Sequence, residues 1–188
     1  MRLMDTLLSH NRTFVESREY EALRTDKFPG KNLAVLACMD ARLVELLPRA
    51  MGLKNGDAKL IKNAGAMVSH PWGSVMRSLI VAVYQLRAEE VCVVAHHDCG
   101  MGGIDPQQVL ANACERGVSE ETIATLRAAG IDLEGWLQGF CCVEDSVRHT
   151  VTTIRQHPLM PRDVPVHGLV IDPATGALTV VVDGYEAA

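Results

Sequence analysis

Apolar residues in this chain follow two different periods. Residues 33–37, 58–62 and 91–95 are short, largely apolar runs, and between them apolar positions recur every third or fourth residue. Such runs predict strands of one parallel sheet buried on both faces, and the intervening pattern predicts crossover helices. The clearest helix covers residues 73–86, where Val75/Met76, Leu79/Ile80, Ala82/Val83 and Leu86 share a face. A shorter one starts at Leu43 and ends near Gly52, and Asn63-Ala64-Gly65 breaks the second strand. The resulting order is strand, helix, strand, helix, strand.

Helical patterns continue over residues 106–117, 119–129 and 141–156. Ser119 is suited to start the second of these, and Pro158 stops the third. The chain then alternates over Val166–Ile171 and Leu178–Val182 around Asp172-Pro173-Ala174-Thr175-Gly176, a hairpin that extends the sheet. At the other end, residues 3–15 carry Leu3, Met4, Leu7, Leu8, Phe14 and Val15 on one side of a helix interrupted by Asn11, which predicts packing against a neighbour. No repeat, low-complexity stretch or linker divides the sequence. The expectation is one α/β domain over residues 1–188, a mostly parallel sheet flanked by helices with an antiparallel edge strand, carrying an N-terminal helical arm over about residues 1–25.

A chain of 188 residues buries roughly 70% of its unfolded surface, so metal is not required merely to fold it. Net charge of -5 without a Lys/Arg cluster argues against nucleic-acid and anionic-membrane partners. The first residues have an acid at Asp5 and no long apolar core, so neither a signal peptide nor a membrane span is expected, and the location is expected to be cytoplasmic. Cys38, Cys92, Cys99, Cys114, Cys141 and Cys142 show no secreted-domain framework, which makes them thiols or metal ligands.

Two of them stand where chemistry is expected. Cys38 closes the first apolar run, and His96 and Cys99 follow the third. In parallel sheets, ligands bind at the carboxyl ends of strands, where the chain order reverses. Two thiols and an imidazole meeting there make a zinc site with one position open, the mark of a catalytic rather than a structural zinc. Isolated cysteines are more often buried free thiols, but the joint pattern with Asp40 and Arg42 reverses that balance. Cys92, inside a strand, is assigned to the core; Cys114, Cys141 and Cys142 lack partners at ligand spacing.

Cys38-x-Asp40-x-Arg42 followed by His96-x-x-Cys99 resembles the β-class carbonic anhydrases. Asn63-Ala64-Gly65, Arg77-Ser78-Leu79 and His96-His97-Asp98-Cys99-Gly100-Met101 fall where that family, in its smaller archaeal-like and bacterial group, has similar segments. The resemblance implies a zinc lyase that interconverts carbon dioxide and bicarbonate, with Cys38, His96 and Cys99 as metal ligands and Asp40 and Arg42 as a catalytic pair. Two thiolates make zinc a weaker Lewis acid than three imidazoles do, so further help is needed. Asp40 can accept a hydrogen bond from the water-derived nucleophile while Arg42 holds its carboxylate.

The resemblance further implies that Asp40 can itself bind the metal at low pH, making hydration slow in acid and faster in base. It also implies an N-terminal helix that embraces a second subunit, hence a homodimer or higher even oligomer. Lys62 and Ala95 stand where many members carry Arg and Gly, and Lys54 where plant-type members carry Gln; these departures bear on rate and substrate preference, not on ligand identity. Two rival readings keep the same centre: a carbonyl sulfide or carbon disulfide hydrolase, and a silent zinc-binding scaffold. His97 and His70 are candidate proton carriers, although neighbouring side chains diverge and His97 more readily points away. His149, His157 and His167 are expected at the surface or in caps.

Overall fold

The structure is a computed structural model that describes residues 2–186. Five strands form its sheet: β1 (Leu33–Cys38), β2 (Ala58–Asn63), β3 (Glu90–His96), β4 (Val166–Ile171) and β5 (Leu178–Val182). Their spatial order is β2-β1-β3-β4-β5; the first four are parallel and β5 returns antiparallel to β4. The mostly parallel sheet with an antiparallel edge strand is therefore as expected.

Seven α-helices accompany the sheet among the described residues: α1 (Leu3–Glu16), α2 (Leu43–Ala50), α3 (Ser74–Leu86), α4 (Pro106–Glu115), α5 (Glu120–Ala128), α6 (Leu133–Leu137) and α7 (Val143–Arg155). Ser119 caps α5 by accepting the Thr122 N–H at 3.1 Å. The short α6 escaped the periodicity because it completes little more than one turn; Asp132 starts it by accepting the Gly135 N–H at 2.9 Å.

Burial explains why the strands read as they do. Ala34 to Ala37 of β1 and Val91, Val93 and Val94 of β3 are fully buried, so the central strands need apolar side chains on both faces. The second strand departs from that expectation. As the edge of the sheet it leaves Leu60 and Lys62 exposed. On α7, Val147, Thr150, Val151 and Ile154 form the buried stripe that packs against β3, β4 and β5. Each apolar side chain so buried contributes about 1.5–3 kcal/mol. By contrast, α1 has no buried residue.

Strand order also places the chemistry. The connection leaving β1 runs through α2 to β2 on one side, whereas that leaving β3 runs to β4 on the other. The carboxyl ends of the adjacent strands β1 and β3 therefore flank the point where the winding reverses, and Cys38 and His96 are the last residues of those strands. Among the described residues, no helix is long and apolar enough to cross a membrane.

Candidate metal centre

The Sγ of Cys38, the ring nitrogens of His96 and the Sγ of Cys99 offer one ligand atom each, and these atoms all lie within 4.8 Å of one another. The two sulfurs are 3.8 Å apart. Cys38 and His96 are 4% and 1% exposed, while Cys99 is half-buried at the rim. The His96 ring is oriented by its own chain: Nδ1 lies 2.8 Å from the His97 carbonyl oxygen and donates to it, leaving Nε2 with a free lone pair. That Nε2 is buried without a hydrogen-bond partner. An orphaned acceptor beside two thiols is costly unless a cation takes it up, so this donor set fits a soft divalent metal such as zinc.

Electrostatics point the same way. Burial first, and then the neighbouring Cys38 sulfur, hold the Cys99 thiol above its usual range. Cys99 thus needs a cation beside it to become a thiolate.

Asp40 lies beside this group and is gripped by Arg42. Its Oδ1 accepts from the Arg42 backbone N–H at 2.8 Å and from Nε at 3.0 Å, and its Oδ2 accepts from Nη2 at 2.8 Å. These bonds bring the carboxyl down to about 2, the guanidinium contributing most. Oδ2 stands 3.7 Å from His96 Nε2, close to the ligands but outside the three-residue group. Arg42 also reaches across to the other loop, where Nη1 donates to Asp98 Oδ2 and Nη2 to the Asp98 carbonyl oxygen, both at 2.9 Å. One guanidinium therefore ties the loop after β1 to the loop after β3.

Asp98 was not singled out in the sequence. A forked five-donor side chain beside a single carboxylate is the signal that a second acceptor is needed. Its φ of +53° lies in the left-handed region, which Asp, like Asn, tolerates better than most other non-glycine residues. Lys62 adds a further tie, donating from Nζ to the Cys38 carbonyl oxygen at 3.4 Å.

The remaining candidates sort themselves by position. Asn63 closes the turn after β2, its side chain donating to the Met67 carbonyl oxygen at 2.6 Å and accepting the Met67 N–H at 3.2 Å. Gly65, at φ +77°, lets that turn approach Met101 beside the metal loop; a Cβ there would stand 2.9 Å from Met67 Sδ and 3.2 Å from Met101 Cγ. His97 is exposed and lines a cavity of about 250 Å3 with His96, Asp98, Cys99, Phe140 and Cys141. His70 accepts the Trp72 N–H at 3.0 Å and so serves the turn before α3. Burial lifts the Cys92 thiol to about 11, with help from Glu90, which suits an inert packing residue. His149 is exposed as expected, whereas His157 is buried where it caps the turn after α7 and His167, within β4, is largely buried rather than at the surface.

A parallel sheet whose switch point carries two thiols, an imidazole and an ion-paired carboxylate defines a metalloenzyme architecture. Residues 33–178 match the family described as carbonic anhydrase, and the chain belongs to that family, in its β class, a class of lyases. It is 58% identical over 183 residues to the YvdA protein of Bacillus subtilis (strain 168), a match covering 97% of this chain and 93% of that one. The crystal structure of β-carbonic anhydrase isoform I from Trichomonas vaginalis superposes with a TM-score of 0.90 at 32% identity, covering 98% of this chain and 100% of that one. A carbon disulfide hydrolase of Acidithiobacillus thiooxidans is 26% identical over 159 residues, covering 79% of this chain and 76% of that one.

Proposed function

We propose that this protein is a zinc-dependent carbonic anhydrase that reversibly hydrates carbon dioxide to bicarbonate and a proton. The observation that carries the reading is the meeting of three soft donors with the Asp40–Arg42 pair at one strand-end site. Cys38, His96 and Cys99 would hold zinc, which as a Lewis acid supplies a water-derived nucleophile near neutral pH. Asp40, ionised by its Arg42 contacts, would accept a hydrogen bond from the water-derived oxygen, which keeps its proton, and so orient that oxygen toward the substrate carbon. Arg42 keeps the Asp40 carboxylate in place and fixes both metal loops. For Asp40 to join the ligands instead, it must first give up this grip.

Carbonyl sulfide and carbon disulfide are linear molecules open to the same attack, and the hydrolase relative makes them the second reading. Stopped-flow carbon dioxide hydration by zinc-loaded protein, run beside an Asp40→Ala variant and with carbonyl sulfide in parallel, tests both. Fast hydration that drops in the variant is the expected result. Turnover of carbonyl sulfide alone would transfer the assignment to the hydrolases, and turnover of neither would leave a silent zinc scaffold. The exposed apolar face of α1 supports assembly as a homodimer or higher even oligomer. The six free cysteines suit a reducing compartment, so the cytoplasm is the proposed location.

A further inference from the structure

Away from the metal centre, the N-terminus of α3 borders a cavity of about 200 Å3 whose walls include Pro71, Trp72, Met76, Arg77, His157 and Leu159. None of the metal-site residues lines it. His157 is only 5% exposed. Its Nδ1 accepts the Leu159 N–H at 3.2 Å, so in the neutral ring the hydrogen sits on Nε2, and that atom is buried without a hydrogen-bond acceptor. A buried donor left unmatched is the feature that native structures resolve with a ligand or water. Trp72, 65% exposed, leans on the imidazole with ring centroids 4.6 Å apart at 62° and forms a wall of the cavity.

The electrostatic surroundings specify what kind of acceptor belongs there. The N-cap of α3 is Gly73, which offers no side chain to the free N–H groups, and no acidic residue lies in the first turn of this 13-residue helix. Arg77, one turn in, makes no ion pair among the described residues. Guanidinium and imidazole N–H therefore both favour negative charge, and no carboxylate lines this cavity; Asp132 borders the adjoining one with Gly73, Ser74 and Val75. The rest of the wall, from Pro71, Met76 and Leu159, is apolar. A fully hydrated inorganic anion would waste that surface, whereas an anionic head with a short hydrocarbon tail uses both parts.

We propose that this cavity is a binding site for a short-chain aliphatic carboxylate of butyrate size. The carboxylate accepts from Arg77 and from His157 Nε2–H, the tail lies against Met76 and Leu159, and Trp72 closes over it. Since anions can also reach a metal centre, the test needs a local reporter. The protein has two tryptophans, Trp72 and Trp136, so in a zinc-loaded Trp136→Phe variant all tryptophan emission comes from Trp72.

Titration with sodium butyrate is expected to change that emission saturably, while butyramide, its neutral isostere, and acetate, which lacks the tail, bind at least about tenfold more weakly. Arg77→Gln, at an exposed position, is expected to weaken butyrate by a similar factor, and the His157 Nε2–H proton resonance to shift with the same saturation curve. A linear, unsaturable response, equal binding of butyramide, or undiminished butyrate binding in the Arg77→Gln variant would each overturn the proposal. The butyrate and butyramide comparison needs no change at Arg77, so it decides the matter even if that variant folds poorly.

Discussion

A single guanidinium organises the candidate centre at the scale of residues. Arg42 holds Asp40 on one loop and Asp98 on the other, and the Asp40 carboxyl stays ionised far into acid because of it. Arg42→Ala is therefore expected to lower carbon dioxide hydration about 10- to 100-fold, the usual range for residues that orient a metal site, with zinc content retained. Asp40, already 3.7 Å from His96 Nε2, would then be free to join the residues that hold the metal, so stopped-flow rates are expected to fall furthest in acid, where hydroxide to compete with it is scarcest. Cys99→Ser acts differently. It removes a proposed ligand at the half-buried rim, so metal analysis is expected to show substoichiometric zinc while far-ultraviolet circular dichroism stays that of the parent protein.

Contacts between elements rest on residues that the chemistry does not use. Gly168 of β4 allows α7 to sit close, since a Cβ there would stand 2.5 Å from Val147 Cγ1 and 3.1 Å from Val151 Cγ2. Gly168→Ala is expected to cost about 1–3 kcal/mol through overpacking, read as a lower urea midpoint with unchanged slope. The hairpin turn between β4 and β5 depends on Asp172, whose Oδ1 accepts from the N–H groups of Ala174 at 2.7 Å and Thr175 at 3.2 Å. The Ala174 bond above all holds this carboxyl below its ordinary range. A depressed native value means that the contribution is complete above the ordinary carboxylate range and is lost as pH falls through the native one. Urea melts of Asp172→Ala are thus expected to show a deficit at neutral pH that closes in acid.

Across the whole molecule, the conspicuous feature is an arm whose residues are nowhere buried among the described residues. Leu3, Met4, Leu7 and Leu8 of α1 are all more than half exposed, an apolar face that a solitary subunit would leave in water. A second copy is the proposed cover. Light scattering at micromolar concentration is expected to give a dimer or a multiple of it, and a Leu7→Glu, Leu8→Glu double variant to shift the population to monomer. A monomeric parent protein would contradict the assembly.

Most of the fold was legible along the chain because burial leaves a periodic trace. β1 and β3 read as unbroken apolar runs, α7 as a stripe at helical spacing, and the final hairpin as alternation around Asp172-Pro173. The candidate donors were legible as well, since Cys38 and His96 directly follow such runs and Cys99 lies three residues beyond His96. Spacing could not reveal that β2 lies at the edge, that Arg42 bridges to Asp98, or that His157 is buried with an unmatched Nε2. Those outcomes depend on which segments meet across the chain. Local periodicity records how each segment faces its own core, so the sequence alone determined the strands, the α-helices other than the short α6, and the candidate donor set. Strand order, loop-to-loop hydrogen bonding and the closeness of the three ligand atoms arise only when distant segments share a volume, and the tertiary structure decided them.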